Sequence, residues 1–284
     1  MGKKKVISLA QIETRLRDIR FNEDKIVRWM EQASKNNSEL IIFPEMSLTG
    51  YSVGRDELNQ HLGDEIGESI NRIKDKTTHL GIDVIVSYPE IRGEKNYIAA
   101  AYMSKGKITG SHRKVYLADY FHAVEHHHFN PGNEIIPFDT RFGRVCILIC
   151  EDAWHLTTSV IAGQKQTDII IATSATSITT SKKLNEIKHR WETISTAAGL
   201  TQTCYFVYCN RSGKENNLIF WGGSHIVSPY GKIVQRFPRL REKLGHYPID
   251  LDYLNECKKA FPLLTREKND FNLKEFDYIT NSRF

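Results

Sequence analysis

Three residues of chemically useful types close short apolar or strand-like runs: the carboxylate of Glu45 after Leu40-Ile41-Ile42-Phe43-Pro44, the amine of Lys114 after Ile108-Thr109-Gly110-Ser111-His112-Arg113, and the thiol of Cys150 after Val145-Cys146-Ile147-Leu148-Ile149. Together they make one coherent chemistry. The carboxylate takes the thiol proton, the thiolate attacks an electrophilic carbon, and the ammonium stabilises the oxyanion that results. An ordinary thiol, with a pKa of about 8.5, is mostly protonated at neutral pH and needs such a base. Each residue alone also has a plainer reading. A free Cys is commonly a small buried hydrophobe, Glu45 can cap the turn after Pro44, and Lys114 can be one solvated cation in a basic run.

The elements must bring these three positions together. Short runs at 6–10, 40–43, 84–88, 98–103, 145–150, 169–172, 205–209 and 225–227 are mostly β-branched or aromatic and are bounded by turn residues, so they read as strands. Helical patterns lie between several of them. Asn22 reads as the cap of a helix through Ile26, Met30 and Ala33; Ile66, Ile70, Ile73, Thr77 and Leu80 share one face of a second; 184–200 forms a third with Ile187, Trp191, Ile194 and Ala198. This alternation predicts an α/β protein, in which sites assemble at the carboxyl ends of strands. Turns at Lys105-Gly106 and Pro229-Tyr230-Gly231 predict hairpins and hence a mixed sheet. No repeat or composition break divides residues 1–284, which read as one domain with a polar, aromatic-bearing tail from about residue 262.

Composition narrows the function classes. With 40% apolar and 26% charged residues the 284-residue chain reads as soluble and globular. The 39 Lys and Arg against 34 Asp and Glu leave +5, dispersed except at Lys3, Lys4 and Lys5, so no nucleic-acid partner is expected. Five cysteines at irregular spacing are no disulfide framework and predict a reduced, cytoplasmic setting. The first apolar stretch, about five residues, is shorter than the roughly 7 to 15 of a signal peptide, and Val6 stands where a myristoylation motif needs Ser or Thr. No run approaches the roughly 20 apolar residues that span a bilayer, so no membrane partner is expected.

The segments Phe43-Pro44-Glu45 with Leu48-Thr49-Gly50-Tyr51, His112-Arg113-Lys114-Val115-Tyr116-Leu117 and Ile149-Cys150-Glu151-Asp152 resemble, in order and spacing, the signatures of the nitrilase superfamily of carbon-nitrogen hydrolases. Phe129-Asn130-Pro131-Gly132, Cys209-Asn210-Arg211-Ser212-Gly213, Gly222-Gly223-Ser224 and Ser228-Pro229-Tyr230-Gly231 resemble its later landmarks, so the likeness runs over nearly the whole chain. It implies a four-layer αββα sandwich and a Glu-Lys-Cys catalytic set at Glu45, Lys114 and Cys150. It also implies that Glu125 helps to position substrate and lysine. The oxyanion would be held by Lys114 and the backbone N–H of Glu151, with a thioester on Cys150 and no metal or other cofactor.

The substrate implied is a small-molecule amide, with N-carbamoyl compounds and nitriles as alternatives. Cys150-Glu151-Asp152-Ala153-Trp154 is similar to the glutamine-hydrolysing domain of NAD synthetases. This length has no room for a synthetase domain, so a free-standing amidase is expected. Residues 194–199 lack the Arg-Ala pair common in the family's third helix. Tyr51, Trp154 and Ser174 are expected to line the pocket, although aromatics also serve plain packing. His122, His126, His127 and His128 invite a metal reading. No matching Cys or carboxylate cluster accompanies them, and the resemblance places them in a loop bordering the site. The order of catalytic types argues against a silent scaffold, and the membrane-embedded acyltransferase branch would need transmembrane helices. A homodimer or higher homo-oligomer is expected, with Phe271, Phe276, Tyr278 and Phe284 either at its interface or folded back on their own subunit.

Overall fold

The computed structural model describes residues 4–119 and 123–282. In chain order its strands are β1 (Lys5–Gln11), β2 (Leu40–Ile42), β3 (Asp83–Arg92), β4 (Lys95–Ser104), β5 (Lys107–Arg113), β6 (Phe138–Thr140), β7 (Gly143–Ile149), β8 (Ile169–Ser174), β9 (Ser177–Ile178), β10 (Tyr205–Asn210), β11 (Ser212–Glu215), β12 (Leu218–Trp221), β13 (His225–Val227), β14 (Ile233–Arg236) and β15 (Lys243–Ile249). The α-helices are α1 (Ile19–Lys35), the single turn α2 (Arg55–Glu57), α3 (Gly63–Leu80), α4 (Leu156–Gln164), α5 (Leu184–Thr201), α6 (Leu251–Ala260) and α7 (Asn269–Asn281). All eight runs read as strands from the sequence are strands, and the third helix matches to within a residue.

Two six-stranded mixed sheets form, ordered β15-β1-β2-β3-β4-β5 and β14-β13-β10-β8-β7-β6. Within them β1, β2 and β3 run parallel, as do β7, β8 and β10, while antiparallel hairpins extend the edges. The sheets meet face to face, β1 on β10 and β4 with β5 on β7; α1 and α3 cover the first, and α4 and α5 pack together beside the second. This is the αββα sandwich.

Side-chain alternation explains why the central strands are apolar throughout. On β7, Val145, Ile147 and Ile149 point into the inter-sheet core, whereas Cys146 and Leu148 face the α5 layer. β8 and β10 divide likewise: Ile169, Ile171, Tyr205, Val207 and Cys209 lie in the first cluster, and Ile170, Ala172, Phe206 and Tyr208 in the second.

One expectation changes. Asn22 does not cap α1; Asp18 does, accepting from the Phe21 N–H. Asn22 lies inside the helix, fully buried, because its amide pairs with both backbone groups of Arg15 and with the Leu48 carbonyl. That joins α1 to the loop after Glu45. The tail beyond residue 262 is helical, and α7 buries none of its residues. Leu263, Leu264 and Phe276 border a cleft of about 950 Å³ with α4 and α5, while Phe271, Leu273, Tyr278 and Ile279 are exposed. Phe284 lies outside the described residues. No helix among the described residues is long and apolar enough to cross a membrane.

Candidate active site

The carboxyl ends of four strands, three central and one at a sheet edge, converge. Glu45 follows β2, Lys114 follows β5, Cys150 follows β7, and Ser174 ends β8. The first two come from one sheet and the last two from the other, so the site sits where the paired sheets end. Lys114 is fully buried and donates from Nζ to Glu45 Oε1 and to Glu125 Oε1, each at 2.8 Å. Glu45 Oε2 accepts from the Ala175 N–H at 2.8 Å, leaving each of its oxygens a further lone pair. Glu125 is held by the Tyr51 hydroxyl at 2.7 Å and the Ala118 N–H at 2.8 Å. Cys150 Sγ lies 3.2 Å from Ser174 Oγ and 3.6 Å from Thr176 Oγ1.

Electrostatics follow from burial. Desolvation holds the Glu45 carboxyl above the ordinary carboxylate range, with Lys114 opposing. Burial acts against the Lys114 ammonium as well, but the carboxylates of Glu125 and Glu45 outweigh it and drive its pKa well above the usual lysine value. The Cys150 thiol is pushed up by burial first and by the Glu45 charge second, while Lys114 and the Ser174 hydrogen bond pull the other way. The balance favours the thiol form of Cys150, with the Glu45 carboxyl close enough to influence it.

Local structure explains how each group is held. Cys150 has φ of 45°, in the left-handed region that residues with a Cβ avoid, and opens the short 3-10 turn Cys150–Trp154. The fully buried carboxylate of Asp152 fixes this elbow. Its Oδ2 accepts from the Ile149 N–H at 2.9 Å and from His112 Nε2 at 2.7 Å, and its Oδ1 accepts from the Val115 and Tyr116 N–H groups at 2.9 Å each. One side chain thus ties the cysteine turn to the segment following the lysine. Met46, after Glu45, also has positive φ, and its N–H is bound by Ser87 Oγ at 3.0 Å.

The remaining landmarks support the same groups from behind. Gly132 donates its N–H to the Lys114 carbonyl at 2.7 Å, and a Cβ there would lie 2.4 Å from the Arg113 oxygen. Buried Glu215 accepts from the Tyr51 N–H at 3.1 Å and the Ser52 N–H at 2.8 Å, and is paired with Arg211 at 2.7 Å. Gly50 has φ of 80°, and a Cβ on it would come 2.7 Å from Glu215 Oε2. The Leu-Thr-Gly-Tyr and Asn-Arg-Ser-Gly segments are therefore two halves of one contact that carries Tyr51 to Glu125.

A family model for carbon-nitrogen hydrolases matches residues 6–259. The chain belongs to the carbon-nitrogen hydrolase family. Among the relatives of this chain, a glutamine-dependent NAD(+) synthetase from Acinetobacter baylyi is 27% identical over 246 residues, covering 87% of this chain and 44% of that protein. The chain thus spans less than half of that relative. A probable nitrilase from Schizosaccharomyces pombe is 24% identical over 263 residues, covering 90% of this chain and 92% of its own. An amidase structure from Nesterenkonia superposes with a TM-score of 0.78 at 23% identity, covering 90% of this chain and 94% of that one, a likeness of fold.

Other expected site residues fall as follows. The Tyr51 hydroxyl is engaged by Glu125 and its ring meets Phe220 edge-on. Trp154 packs edge-on against the buried Trp191 at 5.4 Å between ring centroids. Glu151 is the second residue of the cysteine turn, with its carboxylate 3.6 Å from His155 Nε2. His126 pairs with Asp119, His128 accepts from the Arg55 N–H at 3.4 Å, and His122 lies outside the described residues. His128 also borders a cleft of about 280 Å³ that reaches Tyr51 and Glu125 and includes Arg17, Glu57 and Leu218.

Sequence reasoning missed Asp152, His112, Thr176 and Asn210. Asp152 did carry a signal, a charged residue just past an apolar strand. Its Asn variant presents one oxygen and an NH₂ to four donors, so two lose their acceptor, at roughly 1–3 kcal/mol each. Asp152→Asn is expected to destabilise folding by about 2–5 kcal/mol, read by chemical denaturation; a wild-type midpoint and slope would contradict this role.

Proposed function

We propose that the protein is an amidase that hydrolyses a small carboxamide through a thioester on Cys150. The observation that carries this reading is the buried Lys114 ammonium bonded to both Glu45 and Glu125, with the Cys150 thiol within reach of their charges. In the first half-reaction Glu45 accepts the thiol proton while Sγ attacks the carbonyl carbon, and the carbonyl π pair moves onto oxygen. Lys114 and the Glu151 backbone N–H stabilise that oxyanion. Collapse of the tetrahedral adduct expels ammonia, which takes the proton held by Glu45, and leaves the acyl thioester.

Water then attacks the thioester, giving its proton to Glu45. The second tetrahedral adduct collapses with the thiolate as leaving group, and Cys150 recovers the proton as the carboxylic acid departs. Glu125 takes no proton in this scheme. It holds Lys114 from the side opposite Glu45, itself fixed by Tyr51 and Ala118. Support also comes from relatives. An omega-amidase of Xenopus tropicalis is 24% identical over 257 residues, covering 88% of this chain and 90% of its own length. In a Glu-to-Gln mutant of the Nesterenkonia amidase the acetamide moiety of fluoroacetamide is found covalently added at the active-site cysteine.

An ammonia-release screen over ω-amides, primary amides, N-carbamoyl compounds and nitriles tests the assignment. Amides are expected to turn over, and Cys150→Ala to lower that rate on the order of 10⁴-fold or more while leaving the fold intact. Turnover of nitriles alone, or near-normal activity of the variant, would overturn it. A pH profile follows from the raised Glu45 carboxyl. The base works only when deprotonated, so kcat/KM should fall as pH drops through a value above the ordinary carboxylate range of about 4. An acid limb at or below that range would exclude Glu45 as the base.

A further inference from the structure

The strand end at 174–176 touches both partners in the proton transfer. Between two hydroxyl residues, Ala175 gives its N–H to Glu45 Oε2 at 2.8 Å. On either side, Ser174 Oγ lies 3.2 Å from Cys150 Sγ and Thr176 Oγ1 lies 3.6 Å from it. The two hydroxyl oxygens are 2.7 Å apart, and the Thr176 N–H also points at Ser174 Oγ, at 3.2 Å.

These contacts decide where the serine proton goes. A hydroxyl has one proton and two lone pairs. The Ser174 hydroxyl donates to the Cys150 sulfur at 3.2 Å; with its proton so placed, its lone pairs are open to the Thr176 N–H and to the Thr176 O–H, the latter a contact in which either oxygen can donate. Thr176 is held in turn. Its N–H is shared with Asn210 Oδ1 at 2.9 Å, and the Asn210 amide, fully buried, is anchored on the Gly222 carbonyl at 2.8 Å.

We propose that Ser174 is a further catalytic residue, a fixed hydrogen-bond donor to the Cys150 sulfur, and that Thr176 is the positioning residue that aims its proton. This rests on Cys150 being the nucleophile. A hydrogen bond to a thiolate is stronger than one to a thiol or a thioester. Ser174 therefore lowers the free energy of the thiolate when Glu45 takes the proton, and again when the thiolate leaves during thioester hydrolysis. Its own proton stays on oxygen throughout. Burial and the Glu45 charge both disfavour the thiolate at this position, which is why one donor has a visible effect.

The test is the pH dependence of Cys150 alkylation by iodoacetamide, followed by mass mapping of that residue in wild type, Ser174→Ala and Thr176→Val. Ser174→Ala is expected to raise the midpoint of the profile by about one pH unit and to slow alkylation at pH 7 about tenfold. Thr176→Val is expected to raise the midpoint by about half as much. An unchanged midpoint in folded Ser174→Ala overturns the donor role, and an unchanged midpoint in Thr176→Val overturns the positioning role. If Ser174→Ala does not fold, the Thr176→Val result decides the proposal. These outcomes concern only the thiol, whereas loss of the amidase reading would appear as turnover by Cys150→Ala.

Discussion

A lysine ammonium with no solvent exposure is the constraint around which this site is built. Removing such a charge from water costs several kcal/mol even after relaxation, and only opposite charges with good hydrogen-bond geometry offset it. Lys114 has two, Glu45 and Glu125, at 2.8 Å each. The trio carries a net negative charge. Burial first and the Glu45 charge second keep the Cys150 thiol beside it protonated, while Lys114 places a cation within reach of the same sulfur.

Holding that trio demands much of the fold. Glu45 and Lys114 leave one sheet, Cys150 and Ser174 the other, and the sheets are joined mainly by non-directional apolar contact between strands such as β1 and β10. Register at the strand ends is fixed by polar side chains instead. Asp152 fastens the cysteine turn to the backbone after Lys114, Glu215 with Arg211 fastens the Tyr51 loop, and Asn22 fastens α1 to the Leu48 carbonyl. Each is a buried group with several partners, and such groups specify geometry because leaving any partner unpaired is expensive.

Much of this was legible in the sequence, for identifiable reasons. Strands buried on both faces read as continuous apolar runs, so β7, β8 and β10 stood out, and Cys150 and Ser174 lie at the ends of the first two. The amphipathic faces of α1, α3 and α5 were equally clear. What the sequence hid were groups whose role depends on partners far along the chain. Asn22 looks like a helix cap because its type favours one, yet its amide meets Arg15 and Leu48. The short strands β9, β11 and β12 have too few residues to show a period, and β15 gains its place by pairing with β1 across the length of the chain. Ser174 was expected at the pocket from its place at a strand end, but its contacts with Thr176, and those of Thr176 with Asn210, are ones that no spacing announces.

The central claim is that Cys150 Sγ becomes covalently acylated during turnover. Intact-protein mass spectrometry of enzyme acid-quenched within milliseconds of mixing with an amide that it hydrolyses tests this directly. The account predicts a mass increase equal to the acyl group, mapping to Cys150 and decaying as acid appears. Steady turnover with no adduct at any quench time, or an adduct mapping to another residue, would contradict it.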